Sequence, residues 1–574
     1  MNQSKKPVFL IKKYKDILLA VITIEVATFL VSCADTLIAG NIVGEDALAA
    51  VGVVAPFMIL VTFFSSIVNS GTMLKYSYNI GSCNIEKAQK IFSQGIIMAV
   101  FAGIAIFTGM RAGENFFLES ISADVKVMEY ISDYYGIIIF YLCLDPLSCL
   151  LDNTIVAEGG EKVSAITNII EIVGNFVLSI VLAFKYDVTG IAAASVIFKI
   201  IFLIISVAWI FITKNNIAFV WYIDFKECRT ILSTGMVKAS TFVFSAFMII
   251  ELNYYVMNTY EDEIFVLLVV AERILGLSTF FLGLCMALQP VIETVRGEKD
   301  NYALHALIVE TCKIMITIGL TLSFFIVVFA PLLIQIFQVN NELILTEGID
   351  ALRLIGATMA FQALSTLLFV YCYFIEKRKL ALWVCALKDF IIPFCMSVVG
   401  SILTGNSYGI WIGLSISPVL TILFSMATVY FIYGKNNFPF LIPPEENKRN
   451  YYYDFELTVD NAVSLSKTVV ELLNKNYGNR LSILVGTLVE DILILIKSKN
   501  PDNVPVHGEC NVILEEKQVT LIIRYNGVLF DIADCDSELK SLRQYVVSNI
   551  LGIPDFKTYL VTTGYNRSIL SFKI

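Results

Sequence analysis

The chain has 574 residues, of which 57% are hydrophobic and 16% are charged, and its mean hydropathy is +0.75. Soluble globular domains carry about a quarter charged residues, so this composition excludes an ordinary soluble protein and makes the lipid bilayer the expected partner. The net charge of −9 argues against binding to nucleic acid. The twelve cysteines form no Cys-x-x-Cys pair, which is typical of buried apolar thiols in a reducing compartment.

Long apolar stretches alternate with short polar connections from Asp16 to about Tyr433. About 20 apolar residues cross a hydrocarbon core of roughly 30 Å as a helix. The fold class predicted is an all-α polytopic membrane protein with twelve transmembrane helices, followed by a C-terminal α+β cytosolic domain. These helices, called spans 1 to 12, are predicted at 16–39, 47–72, 91–110, 128–151, 164–184, 190–213, 236–258, 264–290, 304–330, 351–374, 380–403 and 409–433.

Lysine and arginine cluster on one side of the predicted membrane, from the N-terminal Lys5, Lys6 and Lys12 to the 377–379 loop. The opposite loops, such as Glu261-Asp262-Glu263, are acidic. Because positive residues favour the cytoplasmic side, we expect a multi-pass plasma-membrane protein with both termini cytoplasmic. The N-terminal segment has no small-residue cleavage site, so no removable signal peptide is predicted.

The chain shows an internal repeat. A shift of 216 residues places Glu45-Asp46 on Glu261-Asp262 and Gly81 on Gly297, and a shift of 219 places Gly190 on Gly409. The repeat predicts a first six-helix half at 1–225 and a second at 226–433. Six helices per half give both copies the same orientation, as in parallel repeats that leave a central cavity.

Ionisable residues inside apolar helices are expensive and therefore are functional candidates. The strongest are Asp35 in span 1, Glu171 in span 5 and Glu251 in span 7. The alternative for each is an uncharged carboxyl that hydrogen-bonds across helices, or one nearer the membrane interface. Weaker candidates are Glu25, Asp145 and Asp389, the last because Lys388 adjoins it near a helix end.

Helical spacing groups several polar residues of the first half. Glu171 and Asn175 stand four apart and Asn168 precedes Glu171 by three, so they share one helix face. Together with Ser195 and Asp35 they offer carboxylate, amide and hydroxyl oxygens. Such a group can bind Na⁺ or hold a proton. Histidine is not available as a relay, since the chain has only His305 and His507.

The segments ADTLIAGNIVGEDALAAVGVVAP (34–56), TNIIEIVGNFVLSIVLAF and TGIAAASVI resemble the multidrug and toxic compound extrusion (MATE) family of cation-coupled antiporters. The resemblance covers roughly residues 15–433. In that family a helix 1 aspartate, an Asn-x-x-x-Asp pair on helix 5 and a helix 6 threonine form a cation site. The resemblance implies that Asp35, Glu171, Asn175 and Ser195 couple transport and could ligate Na⁺.

The sequence departs from that family pattern in two places. The helix 5 pair is exchanged, as Glu171 and Asn175, which moves the carboxylate by one turn and leaves the choice between Na⁺ and H⁺ open. Glu251 matches the helix 7 glutamate of one branch, but helix 10 has no acid and Gln362 is its nearest polar residue.

The segment 434–452 has three prolines and many polar residues, as expected of a linker. Residues 453–574, called the tail, change in periodicity and predict a sheet facing helices. Strands are predicted near 455–459, 510–515, 518–525, 557–563 and 567–573, and helices near 460–475, 481–497 and 537–550.

The tail resembles the histidine-kinase-type ATPase fold of anti-sigma-factor kinases at LVGTLVEDILILI, RYNGVLFD and TTGYNRSILSFKI. That fold needs an Asn for Mg²⁺, an Asp for adenine and a glycine-rich lid. Glu490 is present, but Ile494 stands at the Asn position, Tyr525 replaces the Asp, and glycine is absent between Gly527 and Gly552. We therefore expect a regulatory module without ATPase or kinase activity, with no cofactor, or else a relic that only stabilises the protein.

The sequence favours a secondary active transporter: an antiporter in which Na⁺ or H⁺ drives export of amphipathic, cationic small molecules by alternating access. It is expected to be a monomer, with no catalytic residues, and a cytosolic regulatory protein could bind at 453–574. A flippase for lipid or polysaccharide precursors would need several buried Arg or Lys; span interiors contain few beyond Lys199, Arg273 and Lys313. A membrane receptor that signals through its tail is the third alternative.

Overall fold

The computed structural model describes residues 3–4, 6–82, 84–119, 125–213, 217–260, 262–336, 342–434, 449–500, 505–516, 518–528, 555–561 and 565–573, without some of their side chains. The predicted helix near 537–550 lies outside these residues. So does most of the predicted linker.

The first half is built from long helices. The chain begins with a short strand, β1, and α1 continues into a π-helical turn at Ala39–Val43. The last helix of this half, α5, covers predicted spans 5 and 6 and breaks at Asp187, whose φ of 49° is left-handed. The elements are β1 (Gln3–Ser4), α1 (Val8–Ile38), α2 (Glu45–Gly81), α3 (Ile85–Glu119), α4 (Val125–Ala157) and α5 (Glu161–Ile212).

The second half repeats long helices but breaks several of them. Predicted span 8 is divided into separate helices, and span 11 contains a π-helical turn at Leu387–Ile391. The elements are α6 (Phe225–Thr259), α7 (Asp262–Leu275), α8 (Leu277–Met286), α9 (Gln289–Glu298), α10 (Asn301–Ile336), α11 (Glu342–Ala357), α12 (Met359–Phe374), α13 (Arg378–Ala386), α14 (Ile392–Thr404) and α15 (Tyr408–Tyr433).

Within the described residues, seven helices are long and apolar enough to cross a membrane, or eight if α11 and α12, bent by 46°, form one span. The chain is therefore mostly helical with multiple candidate spans. The count of twelve stays a prediction, because the test covers only described residues and because breaks such as Gly276 leave α7 and α8 short.

The two halves meet closely where α2 crosses α6. A Cβ on Gly235 would lie 1.8 Å from the Ile67 carbonyl oxygen, and one on Gly71 would lie 2.1 Å from that of Ile231. These distances leave no space for a side chain, so the two backbones are in contact. Small residues allow such close approach between membrane helices.

The C-terminal part forms a sheet with helices on one face. Its elements are β2 (Arg449–Glu456), α16 (Val459–Tyr477), α17 (Asn479–Lys499), β3 (His507–Leu514), β4 (Gln518–Tyr525), β5 (Asp555–Val561) and β6 (Tyr565–Lys573). The strand order is β1-β2-β3-β4-β6-β5, and every neighbouring pair is antiparallel.

The predicted strand at 455–459 is wrong in position, since β2 occupies Arg449–Glu456 and reaches into the predicted linker 434–452. The reason is local: Thr458 caps α16 by accepting a hydrogen bond from the Asn461 N–H, so the helix begins at Val459. The sequence analysis also missed β1, which pairs with β2 through Gln3 opposite Tyr453 and Ser4 opposite Tyr452.

The sheet has two buried faces. Val512, Leu521 and Ile523 point to the helix side and join a core with Val469 and Val489 of α16 and α17. Alternate residues point to the opposite face, where Tyr452 and Tyr565 belong to the core of the helical bundle. This second face therefore docks on the transmembrane helices.

We expect Gly235→Ala to destabilise the protein, because overpacking costs about 1–3 kcal/mol and the neighbouring atom is backbone. Thermal unfolding of the purified protein should show a lower midpoint. The matched control is Gly136→Ala in α4, where a Cβ has open space and helix propensity favours alanine by about 1 kcal/mol. Equal midpoints for the two variants would contradict the close contact.

Candidate functional site

A buried polar cluster lies in the first half between α2, α4 and α5. Because α5 reverses at Asp187, its limbs before and after the break can both contribute side chains to one place. Glu171 lies on the first limb and Lys199 on the second. We call Asp145, Glu171, Asn175, Ser195 and Lys199, with their direct partners, the polar cluster.

The cluster centres on Lys199. Its Nζ lies 2.8 Å from Oε1 of Glu171 and 3.9 Å from Oδ1 of Asp145, and the Lys199 side chain is 9% exposed. The same Nζ lies 4.6 Å from the centre of the Tyr141 ring. The Ser65 hydroxyl donates to Oδ2 of Asp145 at 2.7 Å. One ammonium group is thus shared by two carboxylates.

Charge balance limits what this cluster can hold. Buried charges are stable only when they are paired. With both carboxylates ionised, Lys199 neutralises one of them, so the three groups carry one net negative charge. One additional proton or monovalent cation balances the cluster.

Asn175 and Ser195, two of the residues predicted for the cation site, lie within hydrogen-bonding distance of each other. The Ser195 hydroxyl donates to Oδ1 of Asn175 at 3.3 Å, and the Ser179 hydroxyl donates to the same oxygen at 3.1 Å. Asn175 follows Glu171 by one helical turn, so these oxygens adjoin the ion pair. Amide and hydroxyl oxygens are ligands suited to hard cations.

Asn168, predicted on the Glu171 face, serves a different acid. Its Nδ2 donates to Oδ1 of Asp152 at 3.2 Å, and the Ser164 hydroxyl donates to the same oxygen at 2.5 Å. The sequence analysis missed Asp152, which lies just past the predicted end of span 4. A signal existed, since Asp145 and Asp152 are seven residues apart and therefore share a helix face.

The other predicted site residues are not part of this geometry. Asp35 belongs to α1, which packs against α5, but its side chain lies outside the described part. Glu251 is exposed on α6 and is not in the polar cluster. Among the described residues, no three His, Cys, Asp or Glu side chains form a metal-binding group.

Lys199 is the main residue that sequence reasoning missed as a site residue. The sequence places Lys199 among the few basic residues of the span interiors but does not indicate a role in the site. A signal existed: Lys199 follows Ser195 by four positions, so both lie on one face of the same helix. What the sequence could not give is the distance across helices to Glu171.

The second half holds a comparable pair. Lys388 and Asp389 lie in the π-helical turn, are both buried, and form an ion pair. The Cys385 thiol donates to Oδ2 of Asp389 at 3.4 Å. Asp389 is 218 positions after Glu171, between the two repeat shifts of 216 and 219. The placement of Asp389 near a helix end was wrong, because α13, the π-helical turn and α14 form one continuous span, Arg378–Thr404, with Asp389 in its interior.

Comparisons with known proteins agree with this architecture. Residues 21–181 match the family model MatE. An outward-facing multidrug resistance MATE family transporter of the MOP superfamily is similar in structure, with a TM-score of 0.68 and 17% identity over 75% of this chain and 98% of that chain. The chain has the MATE transporter fold.

Other solved structures with this fold are similar to the same extent. A MOP superfamily transporter from Pyrococcus furiosus, described as having reverse polarity of its binding pocket, has a TM-score of 0.68 and 17% identity over 74% of this chain and 95% of that chain. A MATE structure in complex with MaL6 has a TM-score of 0.67 and 17% identity over 74% and 97%. No curated protein sequence matches.

We expect Lys199→Met to destabilise the protein strongly, because it leaves Glu171 and Asp145 buried without their cation. Breaking a buried ion pair on one side costs about 3–5 kcal/mol. The double variant Lys199→Met with Glu171→Gln should recover part of that loss in thermal unfolding. Additive losses in the double variant would contradict a direct ion pair.

Proposed function

We propose that this protein is a cation-coupled antiporter that exports amphipathic, cationic small molecules by alternating access. The observation that carries the proposal is the buried cluster of Glu171, Asp145 and Lys199, beside the Asn175 and Ser195 oxygens. Intramembrane ionisable groups of this kind mark ion pathways. The MATE fold and the MatE match over 21–181 support transport as the activity.

In this proposal the coupling ion competes with Lys199 for the carboxylates. Protonation of Glu171 removes the negative charge that attracts the Lys199 ammonium. Binding of Na⁺ by Glu171 with the Asn175 and Ser195 oxygens offsets that charge and has the same effect. Lys199 can then pair with Asp145 alone, which is 3.9 Å away. A ligand shifts a conformational equilibrium only through such differential contacts. Asp35, on α1 beside α5, is proposed as a further coupling carboxylate.

At the end of the bundle next to the tail, ion pairs join the two halves, and we propose that this contact closes that end in one of the two states of such a cycle. Lys75 of α2 lies 2.5 Å from Glu376, which also pairs with Arg296. The Arg296 guanidinium lies 4.7 Å from the centre of the Tyr78 ring. We propose that this tail-side closure is cytoplasmic and that substrate leaves from the opposite side.

Glu251 stays in the proposal as a candidate coupling residue of the second half, although it is exposed on α6 and lies outside the polar cluster. The flippase alternative gains no support, since the buried Lys199 is already neutralised by carboxylates and the Lys313 side chain is 58% exposed.

We propose that the tail is a degenerate histidine-kinase-type domain without ATPase or kinase activity. Ile494 on α17 is 38% exposed at the position where that fold needs a Mg²⁺ ligand, and an aliphatic side chain has no oxygen donor. Tyr525 is fully buried at the end of β4. A neutral hydroxyl cannot supply the carboxylate that accepts a hydrogen bond from the adenine amino group.

Glu171→Gln and Asp35→Asn should each reduce gradient-driven export at least about tenfold, which corresponds to about 1.4 kcal/mol, while leaving the protein inserted. The assay is export of a fluorescent lipophilic cation from proteoliposomes under an imposed Na⁺ or pH gradient. Whichever gradient drives transport identifies the coupling ion. Glu129→Gln, an exposed acid of α4, is the matched control, and full export by Glu171→Gln would exclude this residue from coupling.

The full-length protein should show no ATP- and Mg²⁺-dependent rise in melting temperature. A ligand at a hundred times its dissociation constant adds about 2.7 kcal/mol, so binding would be visible. Mg²⁺ with a nucleoside triphosphate that lacks adenine serves as the control for ionic effects. A saturable shift with ATP would overturn the proposal and make the tail a nucleotide sensor.

A further inference from the structure

The sheet face that docks on the bundle presents arginines to acidic residues of the second half. Arg524 of β4 donates to Glu298 at 2.5 Å, to Asp300 at 3.1 Å and to Glu509 of β3 at 2.8 Å. Arg567 of β6 donates to Glu298 at 2.7 Å. All five side chains are fully buried.

Polar groups of the sheet also complete the shell around Asp300. The Tyr452 hydroxyl donates to Oδ1 of Asp300 at 2.9 Å, and Nδ2 of Asn511 donates to its Oδ2 at 2.9 Å. Arg524 donates to the same Oδ2. Charged groups removed from water need partners of this number and geometry. The contact between sheet and bundle is therefore a specific interface.

The same interface touches the first half. Arg567 donates to the carbonyl oxygen of Gly81, the last residue of α2, at 3.0 Å. Gly81 and Gly297 are the glycines that the internal repeat aligns, and they pack together: a Cβ on Gly297 would lie 2.5 Å from the Gly81 carbonyl carbon. One guanidinium group thus contacts Gly81 in the first half and Glu298 in the second.

This geometry depends on the relative position of the halves. If α2 and α9 separate, a single Arg567 cannot reach both Gly81 and Glu298. The tail therefore recognises the arrangement in which the tail-side ends of the halves are in contact. In that arrangement the Lys75, Glu376 and Arg296 ion pairs are also formed.

We propose that the tail is a conformation-specific clamp: its Arg524 and Arg567 bind the joined ends of the two halves and hold the tail-side closure shut. Only the physiological effect of the clamp, a slower transport cycle, rests on the proposed function. Its release opens the closure and speeds transport.

Protonation supports the clamp. The interface contains three fully buried carboxylates against two buried guanidinium groups, with the partly buried Asp454 beside them, so the fully buried groups become neutral on gaining one proton. Burial raises the pKa of Glu509 to about 7, although Arg524 opposes the shift and Asp454 adds to it. The groups around Glu509 are Arg524, Asp454 and the Phe9 N–H, which donates at 3.2 Å. Burial also raises the pKa of Asp454, to about 6.

The raised pKa of Glu509 determines how docking depends on pH. A docked-state pKa above the ordinary 4.5 means that docking favours the protonated form. The clamp therefore weakens as the pH rises from about 4.5 to about 7 and changes little beyond that. Burial raises the pKa of Glu298, but Arg524 and Arg567 outweigh it and hold that pKa below its ordinary value, so Glu298 stays ionised across this range.

The test is hydrogen exchange of the full-length protein in lipid nanodiscs, comparing Arg567→Met with wild type. We expect amide exchange in 78–82 and 293–300 to speed up about tenfold, since opening of these ends is restrained by docking. In proteoliposomes the variant should transport several-fold faster. After correction for the intrinsic pH dependence of amide exchange, protection of the same segments in the wild type should be greater at pH 5.5 than at pH 8.

Arg480→Met, which changes an exposed arginine of α17, is the matched control. Slow exchange retained in α16 and α17 shows that the tail remains folded in Arg567→Met. If Arg567→Met is misfolded, Glu298→Gln on the bundle side provides the same release. Unchanged exchange at 78–82 and 293–300 with a folded tail would overturn the clamp, whereas absent transport in every protein would refute the antiporter and leave exchange to decide the clamp.

Discussion

Buried charge must be neutralised by a partner inside the protein, and this requirement shapes the distinctive regions of the chain. In the first half Lys199 supplies the positive charge for Glu171 and Asp145. At the bundle–sheet interface Arg524 and Arg567 do the same for Glu298, Asp300 and Glu509. A low-dielectric setting penalises any arrangement that separates these partners. The geometry of helices and sheet is consequently tied to the positions of a few ionisable side chains.

The halves solve this problem in different ways. The first half brings Glu171 and Lys199 together from the two limbs of α5, on either side of the break at Asp187, and adds Asp145 from α4. The second half uses adjacent residues, Lys388 and Asp389, and a π-helical turn that aims both side chains into the interior. A π-turn often marks a functional position within a helix. The first-half pair can separate when helices move, whereas the second-half pair moves as one unit.

The sequence predicted a mostly helical chain with multiple apolar spans, because such helices depend on local periodicity and composition. Strand β4 was predicted at its observed bounds for the same reason. The partners of Glu171 and Glu298 could not be predicted, because Lys199 lies on the other limb of α5, beyond the break at Asp187, and Arg524 and Arg567 lie on the sheet. The position of β2 was predicted wrongly because the run RNYYYDFE directly follows polar, proline-rich residues that are typical of a linker. The docking of the sheet depends on tertiary contacts between positions hundreds of residues apart.

Strand β1 links the N-terminus of the chain to the C-terminal sheet. Gln3 and Ser4 pair with Tyr453 and Tyr452 of β2, and the Phe9 ring meets the Tyr565 ring edge-on at 5.4 Å. Helix α1 begins at Val8, only a few residues after this pairing. Helix α1 carries Asp35 further along, so a sliding or rotation of α1 pulls directly on the edge of the sheet. The N-terminus thus works as a mechanical linkage between the first helix and the C-terminal sheet.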